Sequence, residues 1–529
     1  MNTTRRGRNK TTGAGLAFLL IAAVVTTTRP ALGASSSSKA TTPSATAGSG
    51  GKIVVGVDQD PAELDPAGNM LSFTAISVSN AIYDPLFSVP FGGQPVPSLA
   101  SSLTEAKDRL SWTLKLRPGI TFHDGTRLDS AAVVFNLARQ KASQLNGNAM
   151  KVVNDITAVD PLTVKLAVGK PFVAMPYLLS RSGQIGVMVS PAIITSKADF
   201  KRNPVGAGTG PYLFKEWVPG DHLTVVRNPS YWGTPKPRLD QIIFKVIPDE
   251  NARLNALKAG DIQSMTSVLP ASATDAKAAG LAVVVPPVAG YGIVLLNNAV
   301  PPFNDVTMRQ AAALAVDSAV LSKFLQDPNY AKRGFGLWPT DSPWYSAPDK
   351  PLSFDLAAAK KLIVAYAAKS KAAPKFTYLG SSISQQGTDT AKLLQKFWKA
   401  AGFDVDLQLV ADGNQIVLAV VFGGYTAAGF VAGLAADPDP TAYPVLHSTS
   451  SFNFAKYKNA EMDAALDEGR SSPDLATRKA AYAKVQQIFR RDVPFLIGSP
   501  ATVRVISSPK LCGIDTSGFF PARTVGFSC

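Results

Sequence analysis

The chain has 529 residues, of which 46% are hydrophobic and 17% charged, and it carries a formal net charge of +15. That is too long for one core and too apolar for a disordered chain, so two or three globular domains are expected. Nucleic-acid binding lacks its footprint: five basic residues (Arg5, Arg6, Arg8, Lys10, Arg29) lie in the first 33 positions, and the rest are scattered rather than gathered into a stripe.

The first 33 residues read as a signal peptide. The basic residues precede a short apolar region at 15–25, and Ala31-Leu32-Gly33 resembles a small-residue cleavage site, with the mature chain starting near Ala34. Eleven apolar residues are too few to span a bilayer. Thr4-Arg5-Arg6 leaves a twin-arginine route open beside the general secretory one. No cysteine stands near the cleavage region, so lipid anchoring through an N-terminal Cys is excluded. Residues 34–51, rich in Ser, Thr, Ala and Gly, read as a flexible linker.

Residues 52–57 (KIVVGV) form a β-branched run and predict the first strand. A loop starts at Leu64-Asp65-Pro66, and 76–86 has helical spacing. Strands are expected over 111–116 and 120–125, the second closing in a turn. Residues 129–140 predict an amphipathic helix with its N-cap in Leu128-Asp129-Ser130. A strand follows at 163–168. The glycine-rich GAGTGPY of 206–212 resembles a phosphate loop, but Pro211 and Tyr212-Leu213-Phe214 lead into a strand, whereas a phosphate loop must open a helix. Strands at 223–227 and 241–248, a helix at 250–259 stopped by Gly260, a strand at 293–296 and a helix at 305–316 come next. From 355 the pattern is helix (357–367), strand (376–379), helix (388–401), strand (405–410), which argues α/β units. Late helices are expected over 462–468 and 475–490.

Between 413 and 436 the chain carries no charge, then closes in Asp437-Pro438-Asp439-Pro440. The run is long enough to span a membrane, but five glycines and Thr426 interrupt it and divide it into a helix-like piece, 415–422, and a strand-like piece, 427–434. The plain reading is a buried segment followed by a turn, since Asp and Pro are ordinary turn residues. The sharper one places Asp437 at the lip of a buried segment, where it would receive a cation. The only two cysteines, Cys512 and Cys529, are expected to form one disulfide in an exported chain.

Catalytic signatures are missing. There is no G-x-S-x-G elbow and no H-E-x-x-H, and none of the three histidines (His123, His222, His447) has ligand-like spacing. No enzyme activity, metal or cofactor is expected.

Five segments, in order, resemble the family 5 extracellular solute-binding proteins, the dipeptide- and oligopeptide-binding components of ABC importers. They are 97–139 (PSLASSLTEAKDRLSWTLKLRPGITFHDGTRLDSAAVVFNLAR); 208–231 with GTGPYLFKEW and VVRNPSYW, continuing through 248–261 (PDENARLNALKAGD); 297–317 (NNAVPPFNDVTMRQAAALAVD); 435–440 (AADPDP); and 453–463 (NFAKYKNAEMD). The resemblance implies an α/β, two-lobed periplasmic-binding-protein-like fold with a hinge and an interlobe ligand cleft. Three domains would build it: 52–87, 191–290 and 501–529 together as a discontinuous domain I, 88–190 as a smaller inserted domain II, and 291–500 as domain III. His123 would then be a structural turn residue in the inserted domain.

In peptide-binding relatives an aspartate in the segment matching 435–440 pairs with the peptide's α-ammonium. Asp437 matches it, with Asp439 as the alternative. The peptide would lie as an added strand against the backbone of Gly433, Leu434 and Ala435 on one side and of Met70, Leu71, Ser72 and Phe73 on the other. The chain departs from the family in having Leu434 where many relatives have Trp, Pro438 where they have Tyr, and uncharged Val431 where an oligopeptide-type Arg would fall. A di- or oligopeptide is the expected ligand, delivered by a monomeric protein outside the cytoplasm to an ABC permease. A sugar, metal chelate or other small molecule is the alternative, with Trp338, Trp344 and Trp398 as aromatic platforms for a sugar.

Overall fold

The computed structural model describes residues 50–529 except 69–72, 90–93, 144–145, 182–183, 198, 268, 286–289, 326–335, 339–341, 348–351, 372, 383–384, 412, 434–436, 501–502, 515–519 and 528–529. The signal peptide and nearly all of the linker therefore lie outside the described residues. Among those described, no helix is long and apolar enough to cross a membrane.

Three large sheets carry the chain. The first has seven strands in the order Ala282–Val284, Arg504–Ser507, Ser264–Ser267, Lys52–Val57, Gln241–Val246, His222–Arg227 and Tyr212–Val218. Its strands come from three separated parts of the sequence. Lys52–Val57 is central, parallel to both neighbours (Lys52 opposite Gln241, Val55 opposite Ser264). It is buried at Ile53, Val55 and Val57, as a β-branched run flanked on both sides should be. A four-stranded antiparallel sheet, Ala100–Glu105, Ser111–Leu116, Thr163–Val168 and Val153–Asp160, is covered by the helix Ser130–Ala142. Asp129 caps that helix by accepting from the Ala132 N–H at 2.9 Å.

The third sheet has five strands, Asp404–Val410, Lys375–Ser381, Ala427–Gly433, Gly290–Leu296 and Phe495–Pro500. One face packs Trp398, Phe376, Phe403 and Phe303; the other packs Trp338, Tyr482, Phe489 and Phe495. The chain passes between the seven- and five-stranded sheets twice, between Val284 and Gly290 and between Pro500 and Arg504. The result is a mixed α/β protein of two lobes.

Most expected elements form. The uncharged 413–436 run divides into the helix Gly413–Phe422 and the strand Ala427–Gly433. Residues 120–125 form only an isolated bridge, Thr121 to Arg127, and not a strand. The glycines of 206–212 have a packing cause. The Gly210 N–H donates to Ile82 O at 2.9 Å, closing the end of the helix Phe73–Ile82. A Cβ at Gly208 would sit 1.9 Å from that same carbonyl oxygen. His123 belongs to this junction: its N–H donates to Gly208 O and its Nε2 lies 3.0 Å from Gly210 O. Burial holds its pKa below the usual imidazole value, against the pull of Gly210 and Asp124. Gly208→Ala is expected to cost about 1–3 kcal/mol by overpacking, read as a lower midpoint of denaturant unfolding; an unchanged midpoint would show that the backbone there can move aside.

Candidate functional site

The strand Ala427–Gly433 runs antiparallel to Gly290–Leu296, with Gly433 opposite Gly290. Beyond it, Asp437 opens the helix Pro438–Leu446. Its extended backbone and a side chain accepting from the Asp439 N–H at 2.9 Å make it the N-cap, with Pro438 in the first helical position. The Asp-Pro pair that reads as a turn is thus the start of a helix.

Both acids are buried, Asp437 at 6% exposure and Asp439 at 2%, and each meets an arginine from the next two helices. Arg478, in the first turn of Leu475–Asp492, donates from Nη2 to Asp437 Oδ1 at 2.8 Å. Arg470, in the last turn of Ala460–Ser471, donates from Nε and Nη2 to the two oxygens of Asp439 at 2.7 and 3.1 Å. Burial pushes the Asp437 carboxyl above the usual carboxylate range, opposed by Arg478. Burial likewise lowers Arg478, but the charge and hydrogen bond of Asp437 outweigh it and hold the guanidinium above its ordinary value. The Arg470 guanidinium stacks 3.2 Å from the Tyr443 ring centroid.

The other lobe touches this corner. The Val173 N–H donates to Arg470 O at 3.2 Å, and the Phe172 ring lies 5.1 Å from the Arg470 guanidinium carbon. Tyr177, in the short helix Met175–Leu178, feels Asp437: burial first, then that negative charge, push its hydroxyl pKa up. Its hydroxyl donates to Gln94 Oε1 at 2.9 Å. Asp437 therefore stands one residue pair away from the contact of Val173 and Phe172 with Arg470, near enough to Tyr177 for its charge to be felt there.

Gly433 ends its strand as described. Leu434, Ala435, Met70, Leu71 and Ser72 lie outside the described residues, and Phe73 is the first residue of the helix Phe73–Ile82. Trp398 and Trp338 are core residues, at 0% and 1% exposure. Trp344 is partly buried beside the site, its ring 5.1 Å from the Arg478 guanidinium carbon. Cys512 carries a free thiol whose Sγ lies 3.7 Å from Gly526 O, and Cys529 lies outside the described residues. No group of His, Cys, Asp and Glu among the described residues could hold a metal. A hollow of about 410 Å³, lined by Val300, Pro301, Thr377, Gln408 and Tyr425 among others, opens at the far end of the same strands and has no charged lining residue.

Sequence reasoning did not find Arg470, Arg478, Phe172 or Tyr177. One signal was present for Arg478. It falls on the apolar face of its helix, in step with Ala481, Tyr482 and Val485, and a basic residue there needs a buried acid.

Residues 94–454 match the model of the bacterial extracellular solute-binding proteins, family 5. The glutathione-binding protein GsiB of Pectobacterium atrosepticum is 30% identical over 484 residues, covering 87% of this chain and 90% of that protein. Among solved structures, the periplasmic binding protein DppA of Helicobacter pylori, in complex with the peptide STSA, superposes with a TM-score of 0.76 at 24% identity over 90% of this chain and 98% of its own. AgaA of A. tumefaciens R10, in complex with agropinic acid, superposes with a TM-score of 0.78 at 23% identity over 90% of this chain and 99% of its own. The chain belongs to the bacterial extracellular solute-binding proteins, family 5.

Proposed function

We propose that this protein captures a short peptide outside the cytoplasm and delivers it to an ABC permease, with Asp437 receiving the peptide's α-ammonium. One observation carries the reading. Asp437 is a buried carboxylate near the contact between the lobes with Oδ1 occupied, and no described residue donates to its Oδ2. Gly433, the last residue of its strand, precedes Asp437 by four residues, so a peptide added beside that end of the strand would bring its amino end toward the acid. The names of the relatives denote binding rather than catalysis, and a short peptide of the size of glutathione or STSA is the class they suggest.

The proposal includes the division into domains given above, which the three sheets and their strand membership support. It also includes a monomer exported by its N-terminal segment, without a lipid anchor. Calorimetry with tri-alanine, glutathione and N-acetyl-tri-alanine tests the ligand reading. The first two should bind and the acetylated peptide should bind far more weakly; three equal affinities would sink amine capture. A second reading, a non-peptide solute, is favoured by one feature: Arg478 already balances Asp437, so the cleft does not require a cationic ligand. Mass spectrometry of whatever co-purifies with the native protein separates the two.

Oxidation after export would join Cys512 to Cys529 and add about 3 kcal/mol by closing a short loop. Intact mass after alkylation without reduction should show no labelled thiol; two labels would end that idea.

A further inference from the structure

The two acids of the 437–440 turn are each met by a guanidinium, but not in the same way. Asp439 gives both oxygens to Arg470. Asp437 gives only Oδ1, which accepts from Arg478 at 2.8 Å and from the Asp439 N–H at 2.9 Å. Arg478 is itself held. Its Nε donates to Gly469 O at 2.9 Å, its guanidinium carbon lies 5.1 Å from the Trp344 ring and 5.7 Å from the Tyr482 ring, and its side chain is 11% exposed. The close helix approach that sets this up is visible at Gly469, where a Cβ would fall 2.7 Å from the Tyr482 ring. A guanidinium fixed by so many partners is not displaced by an incoming ammonium; the two share the carboxylate.

We propose that Arg478 is the positioning residue of the ligand site: a resident counter-ion that keeps Asp437 ionised between ligands and leaves Oδ2 for the ligand's ammonium. The proposal rests on the reading of Asp437 as the amine receptor. A carboxylate buried this far loses its hydration and tends to take up a proton, and a protonated acid must lose that proton before it can pair with an ammonium. The groups facing Asp437 leave one remedy. Arg478 and Tyr482 face it from the helix Leu475–Asp492, Asp439 sits in its own turn with Arg470 behind it, and Tyr177 feels its charge from the other lobe. Both tyrosines are pushed up and stay neutral, and Arg470 is matched to Asp439. Among the described residues, that leaves Arg478.

The test uses Arg478→Met and Arg478→Lys, each alone and combined with Asp437→Asn, in the full mature chain. Thermal unfolding from pH 5 to pH 8 needs no ligand. A carboxyl whose folded pKa is raised binds its proton more tightly folded than unfolded, so stability falls as pH rises through the folded value. Removing Arg478 moves that fall upward. Arg478→Met should therefore lose melting temperature steadily from pH 5 to pH 8 relative to wild type, and Arg478→Met with Asp437→Asn should not. The same pH dependence with and without Asp437 overturns the proposal.

The binding arm uses tri-alanine between pH 5 and pH 7, where its amine stays protonated. Arg478→Met should lose about tenfold in affinity per unit fall in pH and release about one proton per peptide bound, read by calorimetry in two buffers of different ionisation enthalpy. Wild type should show a flat profile, and Arg478→Lys, which keeps the charge, should also stay flat with a severalfold weaker affinity. A flat profile in Arg478→Met, or a falling one in Arg478→Lys, overturns the proposal; the Lys variant decides if the Met variant does not fold. If wild type binds tri-alanine no better than its acetylated form, the amine reading fails by itself, and the thermal arm still decides whether Arg478 holds Asp437 ionised.

Discussion

Asp437→Asn is expected to weaken the binding of a free-amine peptide by roughly a hundredfold, the equivalent of about 3 kcal/mol for a charge-assisted hydrogen bond in a dry site. The asparagine can still accept from the Asp439 N–H, so the helix Pro438–Leu446 keeps its cap. What goes is the charge. Arg478, fixed by Gly469 O and the aromatic rings around it, would then face the ligand's ammonium with no anion between them. Two cations in one closed corner repel, and neither is hydrated. The N-acetylated peptide brings no ammonium, so its weak binding should change little between wild type and variant. That pattern separates amine capture from general damage to the cleft. Calorimetry reads it, and equal affinity of both proteins for the free-amine peptide would refute the role of Asp437.

The parts of the fold that rest on local chemistry were legible. Asp129 caps its helix and Gly260 ends another in the left-handed region, as the pattern of acid, apolar face and glycine predicts. The strands Lys375–Ser381 and Asp404–Val410 and the helices beside them follow from alternation of period and length. The 437–440 turn was legible as a place but not as a structure. Asp followed by Pro serves a turn and a helix start equally well, and only the partners of the side chain decide between them. Those partners are remote: Arg470 lies 31 residues beyond Asp439, and Arg478 lies 41 beyond Asp437. The glycines of 206–212 show the same limit. Their cause is the carbonyl of Ile82, which no window around 206 contains. The resemblance to a family supplied the place of Asp437 across that gap, but not its counter-ion.

Asp439→Asn is expected to destabilise the protein by about 3 kcal/mol, the lower end for breaking a buried pair by removing one partner. The lower end applies because the Arg470 side chain is 21% exposed and regains some water, while the Asp439 side chain is at 3%. The Arg470 guanidinium would keep its stacking on Tyr443 but lose both carboxylate bonds. Asp439→Asn with Arg470→Met should recover much of the loss, because no buried charge is then left unmatched. Denaturant unfolding of the two single variants and the double variant gives the coupling directly. Additive losses would show that the pair is not a unit. The same corner carries the other lobe: the Val173 N–H rests on Arg470 O and Phe172 on its guanidinium. A guanidinium freed from Asp439 no longer fixes that seat. Asp439→Asn should thus also lengthen the distance between spin labels placed on the two lobes, and Phe172→Ala should do so as well, with a cavity cost of its own of about 3–5 kcal/mol because Phe172 is buried in the core. An unchanged distance in both variants would mean that the lobes meet here without being held here.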